Sequence, residues 1–353
     1  MTVVPVEPIP QHRAFAVLLT SPRLGWSILG WFVAVAVSPA TACLADAPKA
    51  KSIAAVVTAY FHNSHADVIV GRLIEGYTLD GRDERPNLKL VSLYTDQVPA
   101  GDESRQLAAQ HGFRICPSVT DALTLGTGRL AVDGVLLVAE HGEYPRSPTG
   151  QIVYPKRRLF DEIAAVFRTS GRAVPVFCDK HLADNWQDAK WLYDTAKELG
   201  APLMAGSSLP VLWRYPPSDV ERGAKLREIV GVSYHTLDAY GFHGLEMLQT
   251  LAERRAGGET GIRAVTCVAG QAVWEQAGRL YDPALLDAAM ARLRDRRGAG
   301  KSLQETVPEP VLFHIEYKDG LTTNLLTLNG AVAEWAVAWR YADERVESTL
   351  FWT

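Results

Sequence analysis

The sequence predicts an α/β fold: a Rossmann-like, doubly wound parallel sheet followed by an α+β domain with a mostly antiparallel sheet. Three observations predict it. Short apolar runs alternate with segments of helical spacing between residues 52 and 208. Small residues and prolines then cluster from 207 to 217, and strand-like runs follow one another towards the end. The predicted domains are therefore 52–208 and 209–353, after an export segment over 1–47.

The elements of the first domain follow from this alternation. The apolar runs are short enough for buried strands, and the segments between them repeat apolar residues at helical spacing. The predicted strands are 52–60, 88–96, 114–118, 132–144, 173–183 and 201–208, of which the fourth and fifth run on into loops. The predicted helices are 66–77, 102–113, 118–126, 156–171 and 185–200. Such an order implies right-handed βαβ units with both faces of the sheet covered.

The regular alternation of strands and helices ends in the second domain. The predicted strands 228–241 and 261–274 are separated by a helix at 242–255, and another helix covers 282–296. Residues 310–342 are predicted to form strands joined by hairpin turns at 318–320 and 329–330. Strands without crossover helices between them predict antiparallel pairing.

Composition excludes some classes of function. The chain has 353 residues, 47% of them hydrophobic and 22% charged, with a formal net charge of −4, as expected of a soluble globular protein. Basic residues are dispersed, so no nucleic-acid partner is expected.

The first 47 residues resemble an export signal. The apolar run from 24 to 37 is too short to span a membrane comfortably, so no stable membrane span is expected. Residues 40–42 and 45–47 both satisfy the small-x-small cleavage rule. We therefore expect a periplasmic protein, or one that is lipid-anchored through Cys43. If the segment is a buried helix instead, the protein is cytoplasmic.

Two segments carry a family resemblance. "VFCDKHLADNWQDAKWLYDTAKELGAPLMAGSS" resembles the Glu-Lys-Pro segment of the Gfo/Idh/MocA (glucose–fructose oxidoreductase / inositol dehydrogenase) family, with Asp179 for glutamate and His181 for proline. "YGFHGLEMLQ" resembles the family's Gly-x-His-x-x-Asp helix, with Glu246 for aspartate. The resemblance implies an oxidoreductase that acts on a sugar or polyol with NAD or NADP. It puts Lys180 at the active-site lysine and His243 at the catalytic histidine.

The family resemblance also carries expectations about assembly and extent. An open face of the second sheet is expected to form a homo-oligomer. Further residues, with a helix returning to the first domain, are expected after Thr353.

The implied chemistry suits the residue types. Hydride transfer from a hydroxyl needs a base for its proton and a cation beside the developing alkoxide. His243 suits the first task and Lys180 the second. Glu246 lies on the same helix face as His243 and could fix its tautomer or bind a substrate hydroxyl. The structural alternative is that His243 packs at a domain interface and Lys180 reaches solvent.

The turn after the first strand departs from the family. Residues 56–67 include no glycine, although dinucleotide turns use glycines so that backbone N–H groups can approach the pyrophosphate. Tyr60, Phe61 and His62 are predicted to bring large side chains into that space. We therefore predict that this turn does not hold a pyrophosphate in the usual way.

Some residues could still bind a dinucleotide. Asn63 can adopt a left-handed conformation and Ser64 can cap the following helix, so an anion could lie at its N-terminus. Asp96, at the end of the second strand, is a candidate ribose ligand. The candidate cofactor-binding residues are Asn63, Ser64, Asp96 and Glu140.

The alternative is a cofactor-independent enzyme. Three loops that leave the carboxyl ends of parallel strands are predicted to converge on one crevice and to bring histidines and carboxylates together. These groups could bind a divalent metal or perform acid–base chemistry, as in a lyase or hydrolase acting on carbohydrate. A metal-free polar crevice and a non-catalytic sugar-binding protein are further alternatives. The candidate substrate or metal residues are His62, His65, His141, Asp179 and His181, and we expect His65 to face His141 and Lys180.

Overall fold

The computed structural model describes residues 49–79, 81–298 and 300–353. The predicted export segment, residues 1–47, lies outside the described residues. In the part that is described, no helix combines the length and hydrophobicity needed to cross a membrane. The chain contains one parallel sheet with helices and one mostly antiparallel sheet, which confirms the predicted fold class.

A six-stranded sheet forms the first part of the fold. Its order is β5-β4-β1-β6-β7-β8 and all neighbouring strands are parallel. In chain order the elements are β1 (Lys51–Val57), α1 (His65–Glu75), β2 (Tyr77–Leu79), β3 (Arg82–Glu84), β4 (Leu88–Thr95), α2 (Ser104–His111), β5 (Arg114–Ile115), α3 (Val119–Thr124), β6 (Gly134–Val138), α4 (Lys156–Ser170), β7 (Val176–Asp179), α5 (Trp186–Glu198) and β8 (Leu203–Gly206). The sequence analysis missed the small hairpin β2–β3. Chain order reverses between β1 and β6, so a crevice opens outside the carboxyl ends of these strands.

Strand β1 is buried on both faces. Ala54 and Val56 belong to the apolar cluster that contains Leu159 and Phe160 of α4. Ala55 and Val57 belong to the cluster on the opposite face, which includes residues of α1. Side chains alternate along a strand, so a continuous apolar run fits a strand with helices on both sides.

The second sheet has seven strands in the order β11-β12-β13-β10-β14-β15-β9. Its elements are β9 (Trp213–Tyr215), β10 (Leu226–Ser233), α6 (Phe242–Ala252), β11 (Ile262–Ala269), α7 (Pro283–Met290), α8 (Leu303–Thr306), β12 (Val311–Tyr317), β13 (Thr322–Thr327), β14 (Trp335–Tyr341) and β15 (Val346–Trp352). The hairpin predicted at 318–320 is confirmed, because β12 and β13 pair antiparallel across it.

The hairpin predicted at 329–330 is wrong. Strands β13 and β14 do not pair with each other but lie on either side of β10, parallel and antiparallel to it. The Asn-Gly pair marks a turn correctly but cannot specify which strand the chain joins next. The hairpin that the sequence analysis missed joins β14 to β15.

The expected open face of this sheet is wrong for its central strands. Met247 and Leu248 of α6 pack in the cluster that holds Ile229 and Leu325 on one face. Helix α7 covers the other face through a second cluster that includes strands β10, β12 and β14. Strand β11, at the edge, stays largely exposed. The homo-oligomer stays a prediction, but the central sheet faces are not free to form it.

The two long strands predicted at 228–241 and 261–274 end early. Strand β10 stops at Ser233, and a π-helical turn, Leu237–Gly241, runs directly into α6. Strand β11 stops at Ala269 and a 3₁₀ turn, Gly270–Gln276, follows. This π-helical turn places His243 in the first turn of α6. There, the histidine faces the end of the first sheet.

Candidate functional site

His65 and Asp179 form a hydrogen-bonded pair at the crevice. His65 is the first residue of α1, which begins there because the side chain of Ser64 accepts the backbone N–H of Asp67. Asp179 is the buried last residue of β7, and its Oδ2 lies 2.6 Å from Nδ1 of His65. Burial raises the pKa of Asp179, but the bond to His65 and nearby charges outweigh it and lower the pKa. The carboxylate therefore stays charged and orients the imidazole.

Glu140 lies between two buried lysines. Its Oε1 is 3.0 Å from Nζ of Lys156 and its Oε2 is 3.1 Å from Nζ of Lys180. All three side chains are buried. Burial raises the pKa of Glu140, but the two ammonium groups outweigh it and leave the pKa below its usual value. Glu140 was a candidate cofactor ligand, yet here both of its oxygens face lysines.

Lys156 is a site residue that the sequence analysis missed. Its Nζ also donates to the backbone oxygen of Asp179 at 3.1 Å and to that of Lys180. It therefore fixes the loop that carries Lys180. The sequence did contain a sign of this role. Lys156 is the first residue of a predicted helix, and a cation at a helix N-terminus is unfavourable unless it has a specific partner.

His243 and Glu246 of α6 reach the end of the first sheet. His243 Nδ1 hydrogen-bonds Oγ of Ser207, and Glu246 accepts the backbone N–H of Ser207 at 3.3 Å. A side chain at Gly206 would meet Glu246, so the close approach depends on that glycine. Burial, followed by the charge of Lys180, lowers the pKa of His243 to about 4. Burial raises the pKa of Glu246. Ser207 was not singled out in the sequence.

His141 and His181 come from the other two loops. The His141 ring packs edge-on against Phe61 and His65, with centroids 5.3 and 5.1 Å apart. The His181 ring lies 5.7 Å from that of Phe242. His141 Nε2 and His181 Nδ1 are buried with no hydrogen-bond partner. Burial lowers the pKa of both imidazoles, so they are neutral at neutral pH.

His62 lies apart from the other histidines. Its side chain is 78% exposed and its Nδ1 is 3.8 Å from Asp67. Among the described residues, His62, Asp67 and Glu103 are the one group of three whose ligand atoms lie within 4.8 Å of one another. A divalent metal, which was the alternative to a dinucleotide in the crevice, therefore has no support there, because the remaining histidines form no such group in the described ranges.

A cavity of about 820 Å³ opens beside the buried charges. Glu140, Lys180 and His181 line it from the first domain, and Asp238 and Phe242 from the second. The cavity therefore offers an ammonium group, a neutral imidazole, carboxylates and an aromatic ring to one ligand. This mixture of hydrogen-bonding and apolar groups suits a hydroxyl-rich ring.

No protein-family model matches this sequence, and no curated protein matches it. Solved structures do match its fold. GenD2 from gentamicin A biosynthesis, in complex with NAD, is 16% identical, with a TM-score of 0.53 over 86% of this chain and 73% of GenD2. Two others have lower TM-scores. The apo scyllo-inositol dehydrogenase from Lactobacillus casei is 12% identical (TM-score 0.49, 85% and 75% covered). The UDP-N-acetylglucosamine 3-dehydrogenase GnnA from Acidithiobacillus ferrooxidans is 12% identical (0.47, 84% and 79%).

The chain has the Gfo/Idh/MocA fold. The likeness at 16% identity concerns the fold alone, so the chemistry rests on the residues of this chain. The Gfo/Idh/MocA fold implies a dinucleotide across the crevice between β1 and β6. Whether the residues present fit that group can be tested at the turn after β1 and at Asp96.

The turn after β1 is occupied by its own side chains. Ser64 Oγ accepts the backbone N–H of Phe61 at 3.2 Å and that of Asp67 at 3.1 Å. Asn63 adopts a left-handed conformation, as predicted, with φ 61°, and its N–H donates to Asp67 Oδ2 at 2.9 Å. The N–H groups of Asn63 and Asp67 are therefore already bonded within the turn, which leaves fewer donors for a phosphate at the start of α1.

The predicted crowding by Tyr60 is wrong. Tyr60 is fully buried and packs with Val70 and Leu93 in the cluster beneath α1, away from the crevice. The side chain of His62 is exposed and also lies outside the space where the pyrophosphate was expected. Only Phe61, against His141, lies where the crowding was expected. Backbone direction at the end of β1 decides which side chains face the crevice, and residue types alone do not give it.

Asp96 already accepts hydrogen bonds from other side chains of this protein. Its Oδ1 accepts hydrogen bonds from Tyr94 at 2.9 Å and Arg158 at 2.6 Å, and its Oδ2 accepts one from Tyr144 at 2.7 Å. Hydrogen bonds to the charged form, with the charge of Arg158, outweigh burial and lower the pKa of Asp96. A ribose would have to share this carboxylate with three side chains of the chain itself, so Asp96 is less available to a dinucleotide than the sequence predicts.

Proposed function

We propose that this chain is an enzyme that acts on a sugar or polyol by proton transfer in the cavity beside Glu140 and Lys180. The observation that carries the proposal is the meeting of Lys180, Glu140 and His181 at that cavity, with His243 beside them. Buried ionisable groups with shifted pKa values in one cleft are typical of acid–base sites. The Gfo/Idh/MocA resemblance supports the substrate class.

Each group has a role that follows from its surroundings. Lys180 is held by Glu140, and its ammonium is suited to stabilise a negatively charged oxygen of the substrate. His181 and His243 are neutral at neutral pH and are suited to accept a proton. His243 is the base that the family resemblance implies. His181 is the one that lines the cavity and has an unpartnered Nδ1.

The experiment is a substrate panel with matched variants. The full chain is assayed against sugars, sugar acids and polyols, with products detected by mass. Lys180→Ala, His181→Gln and His243→Gln are expected to lower turnover by about 100-fold or more, the effect of losing an acid–base group. Unchanged turnover in Lys180→Ala would refute the proposal.

Two controls guard against misfolding. Lys190→Ala removes an exposed lysine of α5, and His111→Gln removes an exposed histidine at the end of α2. Both are expected to keep full activity. Circular dichroism and thermal midpoints of all variants separate loss of chemistry from loss of fold. If Lys180→Ala fails to fold, the two histidine variants decide, because neither of them breaks an ion pair.

A further inference from the structure

The segment after β6 is fastened across the crevice. Gln97 Oε1 accepts the backbone N–H of Glu143 at 2.9 Å, and Gln97 Nε2 donates to the Glu143 carbonyl at 3.0 Å. Tyr144 donates to Asp96 beside them. The segment is therefore fixed to the end of β4, on the side of the crevice where the adenosine of a dinucleotide would lie.

The same segment also contacts the turn after β1 and the start of α1. His141 has a left-handed backbone, with φ 67°, and its ring lies between Phe61 of the turn and His65 of α1. Asp67, also in the first turn of α1, has a carboxylate that accepts the N–H of Asn63, at the end of the helix where the dipole attracts an anion. A pyrophosphate bound at this helix would lie close to that negative charge.

We infer that this crevice excludes dinucleotides, because the segment after β6 is fastened across it and Asp67 puts a negative charge close to the phosphate position. The inference rests on the proposed function and deepens it: the chemistry in the cavity is redox-neutral. The reaction class is elimination of water from a sugar or sugar acid that carries a carbonyl group. The substrate needs no hydride acceptor.

The elimination balances without a further reactant. A neutral imidazole, that of His181, removes the proton from the carbon next to the carbonyl. The electron pair of that C–H bond forms a C=C bond, and the C–O bond at the following carbon breaks. The departing oxygen takes the same proton from the imidazolium and leaves as water. Lys180 stabilises the negative charge that passes through the carbonyl oxygen.

The first test is direct binding. The purified full chain is examined by native mass spectrometry and then titrated with NAD, NADH, NADP and NADPH by calorimetry and by NADH fluorescence. We expect no bound dinucleotide and no saturable binding at millimolar concentrations. A co-purified dinucleotide, or a micromolar Kd, would overturn the inference. It would leave the proposed proton-transfer site standing, because that site is tested by the Lys180 and histidine variants.

The second test assigns the exclusion to residues. Asp67→Asn removes the charge but keeps an oxygen for the N–H of Asn63, and Tyr144→Phe releases Asp96 from the loop. The double variant is expected to gain NADH binding of at least tenfold over the wild type. If neither protein binds NADH, these two residues do not cause the exclusion and this account of it fails. Product mass gives a separate readout: loss of water supports elimination, and loss of two hydrogen atoms overturns it.

Discussion

At the scale of single residues, the buried charges are balanced by partners that come from distant parts of the chain. Glu140 follows β6, Lys156 opens α4 and Lys180 follows β7. An unpaired charge at any of these positions would be strongly destabilising, so the three depend on one another. Their interdependence makes Lys156 the residue that links stability to the site, although it lies outside the cavity lining.

Lys156→Met tests this dependence. The variant removes an ammonium group from Glu140 and leaves the carbonyl oxygens of Asp179 and Lys180 without that donor. We expect the free energy of unfolding to fall by about 3 kcal/mol, measured by urea denaturation. Lys190→Met, which breaks an exposed ion pair with Asp194, is the control and is expected to cost less than about 1 kcal/mol. Equal losses in both variants would argue against the buried pairing.

The pKa of His243 predicts a pH dependence of stability. Folding lowers this pKa from 6.5 to about 4, so between these values the unfolded chain binds a proton that the folded chain does not. The free energy of unfolding is therefore expected to fall as pH drops through this window, and to be unaffected by this group above it. One such group contributes at most about 1.4 kcal/mol per pH unit.

Denaturation of the wild type and of His243→Gln at several pH values measures this contribution. The variant should lose less stability on acidification, because it takes up one proton fewer on unfolding. His111→Gln, at an exposed position, should follow the wild type. A His243→Gln profile parallel to that of the wild type would contradict the buried neutral imidazole.

At the scale of elements, the start of α1 connects sequence to site. Ser64 is fully buried and bonds two backbone N–H groups, one within the turn and one in the helix. Its position fixes where α1 begins, and therefore where His65 faces Asp179. The Ser64 cap thus fixes the start of α1 and, through it, the position of His65 in the crevice.

Ser64→Ala is expected to lower the free energy of unfolding by about 2 kcal/mol, the upper end for an N-cap, because two partly buried donors lose their partner. Ser302, which caps the short exposed helix α8, gives the matched control, and Ser302→Ala is expected to cost about 0.5 kcal/mol. Chemical denaturation of both variants measures the difference. Similar losses would mean that the buried turn has no special role.

At the scale of the whole molecule, the site lies where the two sheets meet. Lys180 and Asp179 belong to the first sheet and its loops, while His243 is brought by α6 from the second. The bond between Ser207 and His243 joins the two parts. Neither part carries the complete set of groups, and the two motifs lie about sixty residues apart in sequence.

The predicted export also concerns the whole molecule. We propose that the mature protein begins between Cys43 and Pro48, after the predicted signal. N-terminal sequencing of protein isolated from cells measures this, and a start before Leu24 would refute export. Free dinucleotide is scarce outside the cytoplasm. Export would therefore be consistent with a crevice that excludes dinucleotides.

The sequence by itself determined the order of most elements and several of the residues that meet at the crevice. Apolar periodicity is local, so β1, α1 and the alternation after them could be predicted, and parallel strands bring their carboxyl ends to one edge. His65, Glu140, His141, Asp179 and Lys180 therefore met as expected. Their roles in chemistry stay predictions.

Only the tertiary structure decided what surrounds these residues. The pairing of β13 with β10, the inward direction of Tyr60 and the burial of Lys156 all depend on contacts between segments distant in sequence. Hydrophobic pattern records which residues avoid water, but not which buried neighbour each one finds. The proposed closing of the dinucleotide crevice is of this kind, because it rests on contacts of Tyr144 with Asp96 and of His141 with Phe61 and His65.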